Sequence, residues 1–207
     1  MGWFFTRGQT KEGLIKHLTQ PWGNDCGENN VNHVECTCIK YALHGNHLWG
    51  VFERIISEKA TNKEIERIRW ISLFLLAKER NYGYGYKDMD EYSGPYYWDC
   101  PIKFLDLAPR IEKDDESGYS LKWREGVKSY WKNQHDKVEN KKNILSKIKI
   151  GTRIFIYGCK PDSFIITGID GKDVSGEEIG TCLPYRIKPK HLAKATIISG
   201  INIPVTI

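Results

Sequence analysis

The sequence predicts an α+β fold, in which a three-stranded antiparallel sheet with flanking helices is followed by a small C-terminal β-barrel of the SH3-like type. Residues 33–78 hold three alternating or apolar runs separated by turn residues, a pattern typical of paired strands. Residues 10–19 and 119–138 carry apolar side chains at helical spacing. Towards the C-terminus, short apolar runs divided by Gly, Asp and Ser indicate a separate all-β module. We therefore predict an α+β domain at 1–140 and a barrel at 144–207.

Local signals justify the elements of the first domain. Thr10 is a preferred N-cap residue for a short helix that ends before Pro21. Gly45-Asn46 suits a tight hairpin between two runs rich in apolar residues. The other segments before residue 81 are predicted from composition and alternation: an edge strand or plug at 2–5, a polar loop at 20–32, strands at 33–43, 47–56 and 70–78, and a loop or one helical turn at 57–68.

Two more helices and four strands complete the prediction. Pro101 suits the first turn of a short helix that ends before Pro109, with Asp99 as its cap. The helix at 119–138 has an apolar face that includes Trp123 and Val127. The barrel is predicted to consist of strands at 148–157, 163–167, 185–187 and 195–198, with turns at Asp170-Gly171 and Ser175-Gly176.

Composition limits the classes of function. The chain has 207 residues, of which 40% are hydrophobic, so it can bury a core of its own. Lys and Arg outnumber Asp and Glu by 31 to 26, and the net charge of +5 permits a nucleic-acid or acidic partner without requiring one. The first residues lack the features of a secretory signal, and no apolar run reaches the length of about 18 residues that a membrane span needs. We therefore expect a cytoplasmic protein with no membrane partner.

The six cysteines are spread along the chain, and we expect free thiols rather than a disulfide framework. A zinc site made of Cys26, His33, Cys36 and Cys38 would lack the paired knuckles that structural zinc sites use, so we expect no metal and no cofactor. Cys100 with His44 or His47 is a nucleophile hypothesis, although nothing in the sequence brings these residues together.

The chemistry of the sequence is concentrated in a predicted central loop between the third strand and the helix at Pro101. This segment holds far more aromatic and charged side chains than a connection needs. Its candidate binding residues are Tyr82, Tyr84, Tyr86, Lys87, Asp88, Asp90, Glu91, Tyr96, Tyr97 and Trp98.

Three interpretations of the central loop stay open. A metal-assisted nuclease or other hydrolase needs carboxylates that hold a divalent ion and a Lys near the attacking water. The residues for that chemistry are Lys87, Asp88, Asp90 and Glu91. Alternatively, the glycine-spaced tyrosines form a stacking platform for exposed bases. In the structural interpretation, the charged residues are ion pairs and caps, and the tyrosines form a packed turn.

A longer motif runs through the same segment. The string GYKDMDE, from Gly85 to Glu91, is followed by Ser93-Gly94-Pro95-Tyr96-Tyr97 and by Cys100-Pro101. This motif resembles the signature of an uncharacterised protein family found in bacteria, phages and plasmids. The resemblance covers most of the chain, from the opening Met1-Gly2-Trp3 to the segment that begins at Ile150. It implies a place on mobile genetic elements, but no activity or catalytic residue carries over.

From this resemblance and the mild basicity we predict a non-enzymatic binding protein of a mobile element or phage. Such a protein would inhibit a host defence that targets nucleic acid, as anti-CRISPR or anti-restriction proteins do. Its partner would be a protein or nucleoprotein of that defence system. The alternatives are a metal-assisted nuclease or other hydrolase that uses residues 86–91, and a protein that binds nucleic acid directly through the tyrosines.

Overall fold

The computed structural model describes residues 2–109, 118–171 and 173–198. The fold is mostly β, with 44% strand and 27% helix. The chain forms two compact units, Met1–Trp131 and Lys132–Ile207, which contain a six-stranded and a five-stranded sheet. The predicted α+β class, with a three-stranded sheet and an SH3-like barrel, is therefore wrong. The reason is that several segments predicted as loops or turns form strands.

The sheet of the first unit is antiparallel between all neighbouring strands. Its strands are β1 (Phe4–Phe5), β2 (Trp22–Cys26), β3 (Asn32–His44), β4 (His47–Glu58), β5 (Glu64–Glu79) and β6 (Gly83–Asp90). They lie in the order β1-β6-β5-β4-β3-β2. Consecutive strands from β2 to β6 are neighbours in the sheet. β1, from the start of the chain, pairs with β6 and forms one edge of the sheet.

The hairpin between β3 and β4 confirms the strongest turn signal of the sequence. His44 and His47 are paired directly, with Gly45-Asn46 between them. Gly45 has a φ of 59°, a conformation that glycine adopts without steric cost. Both β4 and β5 run further than predicted, so that a short turn takes the place of the predicted loop or helical turn.

Two strands come from segments predicted as loops. The polar β2 lies within the loop predicted at 20–32, and β6 lies within the predicted central loop. The glycines of β6 do not mark turns. A Cβ on Gly85 would lie 2.4 Å from the carbonyl oxygen of Phe4, so glycine is needed for the close approach of β1.

The α-helices that the structure describes beside this sheet are α1 (Lys11–Thr19), α2 (Lys103–Leu107) and α3 (Tyr119–Lys147). The start of α1 is confirmed, because the hydroxyl of Thr10 accepts a hydrogen bond from the amide of Gly13 at 3.0 Å. The short helix after Pro101 is also present, although no side chain caps it, so the predicted cap at Asp99 is wrong. α3 starts where predicted and continues beyond its predicted end at Val138.

The helices pack on opposite faces of the sheet. Trp49 of β4 lies in a core with α2 and with Trp123 of α3. Leu48, the preceding residue, packs instead with Leu14 of α1 and Leu76 of β5. Because neighbouring residues of a strand point to opposite faces, these two clusters define an α3 face and an α1 face of the sheet. The α1 face is only partly covered, and this leaves room for the site described below.

The second unit has its own hydrophobic core. Its elements are β7 (Arg153–Ile156), β8 (Ser163–Asp170), β9 (Asp173–Glu178), β10 (Pro184–Ile187), α4 (Pro189–Leu192) and β11 (Ala195–Ile197). The strand order β10-β9-β8-β7-β11 places β10 and β11 at the edges. Buried Phe164 and Ile166 of β8 pack with Ile144 and Ile148 from the end of α3 and just beyond it.

The strand missing from the prediction of this unit is β9. It contains Ser175-Gly176, which the composition marks as a turn. Residues 199–207, the end of the predicted barrel, lie outside the described residues. Of the helices within the described ranges, none has both the length and the apolar character that crossing a membrane requires.

Candidate binding groove on the α1 face

Glu91 belongs to the protein core. Its side chain is fully buried, and its carboxylate oxygens accept hydrogen bonds from Arg124 at 2.7 Å and 3.0 Å. The amide of Ile71 and the hydroxyl of Ser120 donate to the same carboxylate. Arg124 also donates to the backbone carbonyls of Leu105, within α2, and of Ala108, at the C-terminal end of α2. With four donors on its two oxygens, Glu91 holds β5, β6 and α3 together and has no acceptor position left for a ligand.

Strand β6 separates Lys87 from the two aspartates that follow it. Alternate residues of a strand point to opposite faces, so Asp88 and Asp90 lie on the α1 face. Lys87 points to the α3 face by the same alternation. The structure therefore brings Asp88 and Asp90 together and places Lys87 and Glu91 elsewhere, although all four are neighbours in sequence.

Tyr96, Tyr97 and Trp98 lie apart from β6, in the irregular segment before α2. The indole N–H of Trp123 donates to the carbonyl of Tyr97 at 2.8 Å. The ring of Tyr97 lies edge-on to the imidazole of His47, with centroids 4.4 Å apart. These contacts attach the segment to the α3 side of the sheet, so its exposed rings do not join the tyrosines of β6.

A polar cluster surrounds Asp99, next to the buried Cys100. The carboxylate of Asp99 accepts hydrogen bonds from Nδ1 of His47 at 2.8 Å and from the indole of Trp49 at 3.3 Å. The thiol of Cys100 lies 3.8 Å from the carbonyl oxygen of Pro101. Burial raises the pKa of this thiol well above its usual range, and the charges of neighbouring carboxylates add to the effect. Cys100 therefore stays protonated at neutral pH, which is unsuited to a nucleophile.

A groove opens on the part of the α1 face that α1 leaves uncovered. Ser72 of β5 lines its floor and is paired with Gly50 of β4, which lies beside the groove residue Phe52. A Cβ on Gly50 would lie 2.5 Å from the ring of Phe52, so the absence of a side chain lets this ring occupy the space above the strand. The groove has a volume of about 490 Å³. Ligand pockets are typically of roughly 300 to 1,000 Å³.

Aromatic rings form a continuous row along this face. Phe52 stacks on Trp70, with centroids 5.8 Å apart and an interplanar angle of 26°. Phe52 and Phe74 meet edge-on at 5.8 Å, as do Phe74 and Tyr86. Tyr86 then stacks on Phe4 at 5.4 Å. The row crosses β4, β5, β6 and β1, and its Trp70, Phe52 and Phe74 members line the groove.

Two carboxylates line the β6 side of the groove. Oδ1 of Asp90 accepts hydrogen bonds from the amides of Tyr92 and Ser93 and from the hydroxyl of Ser93, which holds the side chain in place. Asp88 is exposed, and no donor or cation within the described ranges contacts its carboxylate. Its paired residue on β5 is Phe74. An accessible negative charge thus lies beside the aromatic row.

The other walls come from α1, β2 and β3. His17 of α1 lines one side, and the half-exposed indole of Trp22 lines the other. Two residues after Phe52 on β4, and on the same face of the sheet, Arg54 forms an ion pair with Glu66 at 3.6 Å. Because this cation already has a carboxylate partner, the uncompensated charge of the groove is negative and lies at β6.

Two thiols on the α1 face have packing roles. Cys36 is buried in the groove, and Cys38 is paired with Phe52. Burial raises the pKa of the Cys36 thiol, and it raises the pKa of Cys38 to about 11. Both thiols are therefore protonated at neutral pH.

A second groove of about 580 Å³ lies beside the first and contains the remaining tyrosines of β6. Tyr84 and Tyr86 line it together with Phe4, and His17 of α1 lines both grooves. Tyr82 precedes β6, is half exposed, and has its ring 6.4 Å from that of Phe5. Of the candidates from the sequence, Asp88 and Asp90 therefore line the first groove, and Tyr84 and Tyr86 line the second.

Metal ligation finds no geometric support in the part of the chain that the structure describes, where no three His, Cys, Asp or Glu side chains are grouped to hold an ion. Near the cysteines considered for zinc, Nδ1 of His33 lies 3.4 Å from the carboxylate of Asp25. The neighbour of the His33 ring is therefore a carboxylate, and not the cysteine thiolates that the zinc hypothesis requires.

No family model, curated protein or solved structure matches this chain. The resemblance of the central motif to a mobile-element family stays a prediction.

The aromatic half of the groove is not predicted from the sequence as a site. The sequence predicts a buried strand that contains Trp70, Ser72 and Phe74, and a hairpin that contains Phe52. Their i, i+2 alternation is a signal that large rings and a small residue share one face. Which face stays uncovered depends on the position of α1, and alternation alone does not contain that information.

Proposed function

We propose that this chain is a non-enzymatic binding protein that holds a partner protein through the groove on the α1 face. One observation carries the proposal: an open groove of ligand-binding size combines a row of aromatic rings with an accessible carboxylate. Aromatic side chains, Trp and Tyr above all, are enriched among the residues that contribute most to affinity at protein interfaces, because each buries a large area with few rotatable bonds.

The positions of the charged residues favour binding over hydrolysis. A hydrolase on residues 86–91 would need its carboxylates and its Lys in one small volume. Glu91 is engaged by Arg124, and Lys87 points to the other face of the sheet. Asp88 and Asp90 remain, and among the described residues no third His, Cys, Asp or Glu is grouped with them to hold an ion.

Direct binding of nucleic acid is the weaker alternative for this groove. Aromatic rings on an open sheet suit base stacking, but stacking platforms are accompanied by cations that follow the phosphates. Here the unpaired charge is the carboxylate of Asp88, which repels phosphate. The tyrosine groove has no unpaired cation among its lining residues either.

A role on a mobile element, as a cytoplasmic inhibitor of a host defence directed at nucleic acid, is the wider form of this proposal. The sequence resemblance supports it, and the groove supplies a surface by which such a protein would occupy a defence protein or nucleoprotein.

The proposal is tested with an array of immobilised peptides of varied sequence, probed with the labelled full-length protein. We expect a subset of peptides to bind the wild type and to lose binding to Trp70→Ala. Tyr157→Ala, which removes an exposed ring in the second unit, is the matched control and should bind as the wild type does. Binding that survives Trp70→Ala, or an array without any bound peptide, would contradict the proposal.

The hydrolase alternative is tested by incubation with labelled DNA and RNA in Mg²⁺, Mn²⁺ or EDTA, with cleavage and gel retardation read together. We expect no metal-dependent cleavage. The net charge of +5 should cause weak retardation that disappears as salt rises, equally in the wild type and Trp70→Ala. Cleavage that is lost in Asp88→Ala would instead make the groove an active site.

A further inference from the structure

We propose that the groove on the α1 face binds a guanidinium group, and so that the partner protein inserts an arginine side chain between the aromatic row and Asp88. This inference rests on the proposed function and names the chemistry of the ligand.

The groove offers two kinds of surface that a guanidinium uses at once. Arginine stacks its planar group on aromatic faces and donates hydrogen bonds to carboxylates from its edge. Trp70 and Phe74 supply partly exposed rings that pack on the buried Phe52, and Asp88 is the paired neighbour of Phe74 on the next strand. A cation in this position is attracted by the rings and by the carboxylate together.

Asp88 and Asp90 differ in how ready they are for a ligand. Asp90 already accepts three hydrogen bonds on Oδ1, from the Tyr92 and Ser93 amides and the Ser93 hydroxyl. Asp88 has no donor among the described residues, so both of its oxygens are available. Asp88 is therefore the anchor for the cation, and Asp90 supplies a fixed second negative charge one pleat away.

The other charged groups around the groove do not neutralise this site. Arg54 is paired with Glu66, and Lys87 lies behind the strand on the α3 face. His17 lines the wall formed by α1 and is an exposed ring. The local charge is thus negative on a chain whose net charge is +5.

This contrast makes the inference specific. Attraction by the net charge of the whole chain favours acidic ligands. Preference for a basic ligand must therefore come from a local site, and it must depend on the carboxylate at that site. A lysine would be attracted by the same charge, but its compact ammonium does not stack on rings as a planar guanidinium does.

The test uses two short peptides that differ at one position, one with arginine and one with citrulline, its uncharged analogue of nearly the same shape. Binding to the full-length protein is followed through the tryptophan indole signals in two-dimensional NMR. We expect wild type to bind the arginine peptide about tenfold more tightly, the effect of a cation on an aromatic ring and a partly shielded carboxylate together.

Asp88→Asn should remove most of this difference, because it keeps the shape of the side chain and removes its charge. Asp106→Asn is the matched control, since Asp106 is an exposed aspartate of α2 and makes the same change in net charge. It should keep the tenfold preference. Both variants should melt like the wild type, because both side chains are exposed.

Each outcome has a definite meaning. Equal binding of both peptides by the wild type would overturn the arginine proposal. If array peptides still bind through Trp70 in that case, the binding function stands and only the ligand class is wrong. Loss of preference in Asp106→Asn as well as Asp88→Asn would show an effect of net charge, and would also overturn the proposal. A lysine peptide of otherwise identical sequence is the third arm, and tighter binding of this peptide than of the arginine peptide would overturn the proposal, because it would show attraction by charge without stacking.

Discussion

At the scale of single residues, Glu91 shows how one acidic side chain can belong to a charged motif and still be structural. It lies at the end of β6, where the strand leaves the sheet, and Arg124 reaches it from α3. A buried ion pair of this kind adds little net stability when intact, but removal of one partner leaves an unpaired charge in a region from which water is excluded. Its role is thus best measured by deletion of the carboxylate.

We predict that Glu91→Ala lowers the free energy of unfolding by about 3 to 5 kcal/mol, because Arg124 would remain buried without its partner. Urea denaturation followed by circular dichroism measures the loss. Glu125→Ala is the control, since it removes an exposed partner of Lys128 from the same helix and should change the stability by less than about 1 kcal/mol. A Glu91→Ala variant as stable as that control would show that the ion pair is dispensable.

At the scale of secondary structure, the predictable elements are those with a local signal of their own. The cap at Thr10 and the turn at Gly45-Asn46 fix their elements through short-range hydrogen bonds and backbone conformation, and both are confirmed. β2 contains Gly, Asn and Asp, and β6 contains Gly and Asp, all residues of low strand propensity. They form strands because a long neighbour presents an unpaired edge to them, and that cause lies elsewhere in the chain.

The same limit applies to the groove. Asp88 and Asp90 are candidates from the sequence because three carboxylates lie close together in one segment. Their separation from Lys87 and Glu91 follows from the strand alternation of β6, a segment that the sequence predicts to be a loop. Trp70 and Phe52 meet only through the register of β4 and β5. No spacing within either strand specifies that register, so the aromatic half of the site is visible only in the folded chain.

Gly50 sets the shape of the groove floor, and a methyl group there tests this. We predict that Gly50→Ala displaces the ring of Phe52 and costs about 1 to 3 kcal/mol of stability, as other overpacking substitutions do. Tryptophan fluorescence should change as well, because Phe52 stacks on Trp70. Gly2→Ala, with nothing within 4 Å of the added carbon, is the control. Unchanged fluorescence and stability in Gly50→Ala would show that the methyl group fits beside Phe52 without displacing its ring.

At the scale of the whole molecule, three buried or partly buried cysteines make the stability of the fold depend on pH. Burial raises the pKa of Cys36, Cys38 and Cys100, and for Cys38 the change is from 9.0 to about 11. The folded chain therefore holds these protons more tightly than the unfolded chain. The resulting stability is complete below about pH 9 and is lost as the pH rises towards 11.

We predict that the free energy of unfolding, measured in urea under reducing conditions, decreases between pH 9 and pH 11. Cys38→Ala should reduce the slope over this interval, because the variant no longer has the proton that the fold retains at Cys38. Cys182→Ala is the control, since this thiol is exposed. Equal slopes in the wild type and Cys38→Ala would show that the thiol at Cys38 is not a source of the dependence.

The edges of the six-stranded sheet have a consequence for how the protein behaves among copies of itself. An open sheet can recruit a strand from another molecule wherever a long, regular edge is exposed. Here β1 is only two residues long, and β2 has Gly23, Asn24 and Asp25 at its centre. Neither of these strands is a good template for a further strand, but each covers only part of its long neighbour, and among the described residues positions 37–44 of β3 and 64–71 of β5 pair with β4 alone. The open stretch of β5 carries Glu64, Glu66, Arg67 and Arg69, and charged side chains of this kind oppose the joining of two sheets edge to edge.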